Sequence, residues 1–263
     1  MTDTQTQPAL PLFYRDPRPL SSVAHAEWRL IGGDAAFAAD TPYVPILIGE
    51  FAATSRYYPI VFASPDAAPI AVLGLGEVNL FVTEGAWDAD HYVPAYVRRY
   101  PFGFIPTGEA GRFALAIDAG SDRVAPGGDA GTALFDADGP SEATRQALAF
   151  CDVFHGEAEA TNAFAAALRE HGLLIERRAD ATLADGRRFG LHGFQVVDVE
   201  KFTALDDAVI VAWHRNGWLG LVHQHLASLD TFPALLARQG RHTAVATEAD
   251  GDTQQPILEG LES

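Results

Sequence analysis

Apolar positions in the first half of the chain fall in short runs punctuated by proline and glycine. Residues 44–51 (VPILIGEF), 58–63 (YPIVFA) and 70–75 (IAVLGL) predict three strands. Residues 79–83 (NLFVT) predict a fourth, with 76–78 (GEV) as the turn before it. Strands this close leave no room for crossover helices, so the pattern predicts an antiparallel meander. Residues 91–101 predict a helix with Pro94 in its first turn, Tyr92, Tyr96 and Tyr100 on one face, and Pro101 as its stop. Residues 112–118 (RFALAID) read as another strand. The glycine-, aspartate- and proline-rich stretch 119–140 reads as a long loop around a short strand at 134–136.

The second half changes period. Ser141 is an N-cap for a helix running to about His155, with Leu148, Cys151 and Phe154 roughly in phase. Gly156 is expected to break it. A second helix follows from Glu157 to His171, with Phe164 and Leu168 one turn apart and Gly172 as its cap. Asp185-Gly186 predicts a hairpin turn, and two further helices are expected over 201–215 and 219–237, parted by Asn216-Gly217. The reading is an α+β fold: an N-terminal, mostly antiparallel β-sheet followed by C-terminal helices with a β-hairpin. One domain is expected over 12–241, with residues 1–11 and the acidic tail 242–263 disordered.

Charge narrows the function. The 263 residues carry 18 basic and 35 acidic side chains, a net charge of −17, and Lys201 is the only lysine. Nucleic acid and anionic lipid both need a basic face, so neither is an expected partner. Cys151, the single cysteine, excludes an internal disulfide and a cysteine-rich zinc site. The first 20 residues lack a signal-peptide pattern, and no apolar run reaches 18 residues. No membrane insertion is therefore expected, and the default location is the cytoplasm. Export by a signal-independent route lies outside this argument.

Several patterns invite a chemical reading. His223 and His225 flank Gln224, but on a helix they point about 200° apart and lack a third ligand. Cys151 and His155 share a helix face, although a cysteine in phase with Leu148 and Phe154 reads first as core. The acidic stretch 129–139 lacks the ligand order of a calcium loop, and the glycines at 127–132 and 74–76 lack a phosphate-binding signature. GxSxG, HExxH and SxxK are all absent. The richest segment is 49–60, where Glu50, Arg56, Tyr57 and Tyr58 sit between apolar strands. Arg98 and Arg99 are the densest positive pair, suited to a carboxylate or phosphate. The cluster reads either as a pocket or as a Glu50–arginine ion pair inside the fold.

A family resemblance adds to this. Residues 11–14 (PLFY), 44–51, 56–62 (RYYPIVF), 71–75, 79–82 and 92–102 (YVPAYVRRYPF), then 134–139 (LFDADG), 193–198 (GFQVVD) and 217–229 (GWLGLVHQHLASL), occur in the order found in the SapC-like family of bacterial proteins. The resemblance spans about residues 11–238. His223 stands where the pattern expects an aromatic, whereas His225 fits. The family is named for a surface-layer-associated protein, and it brings no catalytic residues and no cofactor. The resemblance implies an accessory protein, not a catalyst, in surface-layer or envelope-linked handling of peptides or small molecules. Its partner would be a protein or small ligand of unknown identity, with Glu50, Arg56, Tyr57, Tyr58, Arg98, Arg99 and His225 as ligand-binding candidates. The alternative is an enzyme, or an enzyme's partner, with a pocket around Glu50, Arg56, Tyr57 and Arg98. A weaker third reading is metal storage or sensing through His223 and His225.

Overall fold

The computed structural model describes residues 10–109, 111–182 and 186–251. Its main sheet has five strands: β1 (Tyr43–Pro45), β2 (Ile60–Ala63), β3 (Ala68–Val72), β4 (Leu174–Thr182) and β5 (Arg188–Val197). The order is β4-β5-β2-β3-β1 and every neighbouring pair is antiparallel. The C-terminal hairpin therefore completes the N-terminal sheet, and the expected α+β class is the one observed. Asp185 of the expected hairpin turn lies outside the described residues; so do 1–9 and 252–263 from the two chain ends.

The meander is only partly as expected. β2 and β3 form a hairpin, but β1 pairs with β3 on its far side. The predicted fourth strand does not join. The Asn79 amide donates to the Ala38 carbonyl and its Oδ1 accepts from the Phe81 N–H, which bends the chain. Only Val82–Thr83 stays extended, paired with Ala86–Trp87 in a separate hairpin. The run 44–51 is also not one strand. After Pro45 it turns through a 3-10 segment (Ile48–Glu50) into α1 (Phe51–Thr54). Glu50 closes that turn by accepting the Leu47 N–H.

The remaining helices are α2 (Ala95–Arg98), α3 (Glu142–Glu170), α4 (Val199–Thr203), α5 (Asp207–Arg215), α6 (Trp218–Ser228) and α7 (Phe232–Gly251). In α2, Pro94 is the N-cap, not a first-turn residue, and Tyr92 precedes the helix. Ser141 caps α3 by accepting from the Thr144 N–H. Gly156 does not break α3. It is exposed, with open space where a side chain would stand, and one interior glycine costs only about 1 kcal/mol. Anchors on both sides, Cys151 and the fully buried Phe164 and Leu168, outweigh that cost. The expected helix at 201–215 is split instead, because Asp198 caps α4 and Asp206 opens α5. A single 3-10 turn, Leu229–Thr231, interrupts the expected 219–237 helix between α6 and α7.

His225 on α6 shows how these helices bind the sheet. The β2–β5 ladder pairs Ala63 with Phe194 and Phe62 with Gln195. Continued, it would pair Ile60 with Val197. The His225 ring stands there instead: Nδ1 donates to the Ile60 carbonyl at 2.8 Å, and Nε2 accepts from the Val197 N–H at 3.1 Å. Ser228 Oγ accepts the Ile60 N–H. This ring is fully buried, and burial pushes its pKa down to about 4.

A smaller antiparallel sheet orders Pro17–Pro19, Phe113–Asp118 and Phe102–Pro106. The buried Asp118 carboxylate accepts the N–H groups of Arg15 and Asp16 and the Tyr100 hydroxyl. Beneath this sheet Phe102, Ile117, Leu134 and Cys151 form a second core, separate from the main one.

Gly156→Ala should raise stability by about 0.5–1 kcal/mol in urea unfolding, because it removes unfolded-state freedom at an open helical site. A loss of stability would show that α3 is broken there. The unfolded His225 ring titrates at the ordinary 6.5 and the native one at about 4. As pH falls from 6.5 to 4 the unfolded state takes up the proton first, so roughly 3 kcal/mol of stability should disappear across that window. Subtracting the profile of His225→Gln from that of the wild type isolates this term. Parallel profiles would refute it.

Candidate functional site

Glu50 sits at the end of the 3-10 turn with its carboxylate almost sealed, at 6% exposure. Oε1 accepts the Ala95 N–H at 2.6 Å and the Tyr92 hydroxyl at 2.8 Å, while Oε2 accepts the Leu47 N–H at 3.0 Å. Ala95 is the first residue of α2, so this carboxylate satisfies an N–H that has no partner within the helix. The Tyr92 oxygen in turn accepts from an Arg98 terminal nitrogen at 3.0 Å, and Arg98 Nε donates to the Val93 carbonyl. Burial first, then the Glu50 charge, pushes the Tyr92 pKa up to about 12. The phenol therefore stays a neutral donor to Glu50 at physiological pH.

Three hollows surround Arg98. One, about 270 Å³, is lined by Glu50, Tyr92, Phe150, Phe154, Glu157 and Arg98 among others. A second, about 260 Å³, carries Arg98, Arg99 and Arg123 with Tyr100, Gln146 and Phe150, and no carboxylate lines it. The third, about 460 Å³, lies beyond Arg98 and Arg123 and includes Asp34, Phe37 and Trp87.

Aromatic rings and carbonyls hold these arginines, not acids. The Arg99 guanidinium lies 4.2 Å from the Tyr96 ring centre and 4.3 Å from that of Phe154. Arg98 stands over Phe150 at 5.4 Å. Arg123 donates one terminal nitrogen to the Tyr100 carbonyl, and burial lowers its pKa. The Nε groups of Arg99 and Arg123 are buried with no hydrogen-bond partner, and none of the three arginines forms an ion pair among the described residues. The arrangement suits capture of an anion with an apolar body.

The structure thus gathers Glu50, Arg98 and Arg99 from the sequence-derived candidates. Glu50 reaches Arg98 through Tyr92, not by the direct ion pair that one reading envisaged. Tyr58 is buried behind the site, donating to the Tyr92 carbonyl at 2.6 Å and accepting from Trp87 Nε1, with its pKa raised by burial. Arg56 and Tyr57 are exposed beyond α1 and line none of the three hollows; Tyr57 packs against His91. His225 is in the core with both ring nitrogens bonded, and His223 is exposed beside Phe202. Cys151 is a core residue whose thiol burial pushes up to about 11. Among the described residues no group of three histidine, cysteine or acidic side chains is placed to hold a metal. No described helix is long and apolar enough to cross a membrane.

Sequence reading missed Arg123, Phe150 and Glu157. Arg123 lies in the stretch read as loop, where no periodicity marks it. Phe150 and Glu157 fell on either side of the break expected at Gly156, so they could not be placed on one face.

The geometry is that of an α+β chain with an arginine-lined cleft against one long helix. The chain belongs to the SapC family, whose model matches residues 20–235. No curated protein and no solved structure matches it.

Glu50→Gln places an amide N–H against a backbone or phenolic donor and removes a charge-assisted acceptor. It should cost about 2 kcal/mol in denaturant unfolding, whereas Arg56→Gln at the exposed position should stay within about 0.5 kcal/mol. Equal effects of the two would deny Glu50 its role as anchor.

Proposed function

We propose that this SapC-family protein is a binding protein for a small ligand bearing a carboxylate or phosphate, seated on Arg98, Arg99 and Arg123. One observation carries the reading. In a chain of net charge −17, three arginines meet on a hollow that no carboxylate lines, and none of them is neutralised by an ion pair among the described residues. Like charges gathered this way repel one another unless a counter-charge joins them. An anion from solution would supply that counter-charge. The apolar walls, Phe102 and Phe150 among them, suit a ligand with an organic body.

The wider role proposed is an accessory one in surface-layer or envelope-linked handling of small molecules, supported by the family. The enzymatic alternative placed Glu50 and Arg56 in one pocket. Both Glu50 oxygens already accept from protein donors, and Arg56 lies elsewhere, so binding is favoured over proton transfer at Glu50.

Thermal unfolding with succinate, benzoate and inorganic phosphate tests the reading. A ligand at 100 times its Kd stabilises the native state by about 2.7 kcal/mol, a shift of several degrees for a domain of this size. The shift should vanish in Arg99→Gln/Arg123→Gln. An unchanged shift in that variant, or none with any of the anions, would overturn the proposal.

A further inference from the structure

The arginine hollow is small for a whole ligand. At about 260 Å³ it falls short of the roughly 300–1,000 Å³ usual for sites that enclose an organic molecule. Two of its arginines, Arg98 and Arg123, also line the hollow of about 460 Å³, which is within that range. The larger hollow is walled by Phe37, Trp87, Val93 and Val97 and carries one carboxylate, Asp34. Asp34 Oδ1 already accepts the Ala36 N–H at 3.0 Å. The hollow of about 270 Å³ has only Arg98 in common with the arginine hollow among its cations, and it carries two carboxylates, Glu50 and Glu157. The body of an anion is therefore better received on the Trp87 side, where apolar walls meet it and fewer like charges oppose it.

The backbone fixes how Arg123 meets both hollows. Its carbonyl accepts the Ile31 N–H at 2.8 Å, and the next residue, Val124, pairs with Leu30 in a short antiparallel ladder. This brings Gly33 against the Arg123 side chain, where a Cβ would stand 3.0 Å from Cγ and 3.1 Å from Nε. Gly33 also lines the larger hollow, so its missing side chain is the room in which the arginine stem lies. The Arg123 guanidinium stands 5.9 Å from the Phe37 ring centre, and the Tyr100 carbonyl holds one terminal nitrogen. We infer that the ligand is an organic acid with a bulky apolar body, its anion on the arginines that the two hollows share and its body in the hollow walled by Phe37 and Trp87. This inference rests on the arginine hollow being a ligand site and adds the class of ligand and the seat of its body.

Calorimetric titration of the full chain with acetate, cyclohexanecarboxylate and 2-naphthoate tests it. The two bulky acids should bind at least about tenfold tighter than acetate, because they remove more apolar surface from water. Ala86 lines the same hollow, and Ala86→Phe should fill part of it and erase that preference. Gly33→Ala pushes on the Arg123 stem and should weaken every acid severalfold, whereas Gly32→Ala, with open space around its Cβ, should not. Cyclohexanecarboxylate does not absorb where tryptophan does, so it should shift the emission of the wild type but not that of Trp87→Phe. Equal binding of acetate and the bulky acids by the wild type overturns the apolar seat and leaves the anion site standing. So does a preference that survives Ala86→Phe, or an emission shift that survives Trp87→Phe. Equal effects of the two glycine variants overturn the part given to Arg123. Failure of every acid, and of phosphate, removes both the seat and the anion site.

Discussion

A carboxylate taken out of water must be met by donors from the protein, or the fold that buries it is not viable. Glu50 is that carboxylate here. It is held at 6% exposure by a backbone N–H of its own turn, by the first N–H of α2 and by a phenol. Uncompensated, such a charge costs several kcal/mol, so the three donors are constrained together. The turn after β1, the start of α2 and the Tyr92 ring are thereby fixed relative to one another. Because the Tyr92 oxygen then receives Arg98, the orientation of the site's central cation follows from a buried anion that it never touches directly.

That indirect linkage bears on the charge of the whole molecule. With nearly twice as many acids as bases, several arginines are held by an acid, as Arg238 is by Asp88 and Arg145 by Glu142. Arg98, Arg99 and Arg123 are held in other ways. Tyr96 and Phe154 face the Arg99 guanidinium with their rings, while carbonyls accept from Arg98 and Arg123. A guanidinium is weakly hydrated and tolerates an aromatic cage. The cage orders the cation and leaves its charge uncancelled. In an ion pair the same side chain would be ordered but electrostatically spent.

The sequence revealed the class of fold and the segment that matters, but not the way its residues combine. Glu50 and Arg98 stood out as charges among apolar and aromatic neighbours, and both reached the site. Arg56 and Tyr57 stood out for the same reason and did not, because α1 turns the chain outward after Thr54. Nothing in the spacing of 44–51 distinguishes a continuous strand from a strand that stops at Pro45. The difference lies in the Glu50 side chain reaching back to Leu47, and its other partners are more than 40 residues away. Tyr92, Tyr96 and Tyr100 were read as one helical face. Their hydroxyls bind three separate places, Glu50, the Leu12 carbonyl and Asp118, because the helix is a single turn and Tyr92 lies outside it. Local periodicity carries no information about such long-range partners.

Gly156 is where local and global preferences conflict most openly, and the outcome shapes the site. Read alone, a glycine after a histidine ends a helix. In the fold, α3 is held by Cys151 in the second core and by Phe164 and Leu168 in the main one, and a penalty of about 1 kcal/mol cannot overcome anchors on both sides. The unbroken helix puts Gln146, Phe150, Phe154 and Glu157 along one wall of the two hollows. Both cores thus hold the same rod, which a precise binding site requires of its supporting elements. Had the chain turned at Gly156, Glu157 would leave the wall that Phe150, Val153 and Phe154 form.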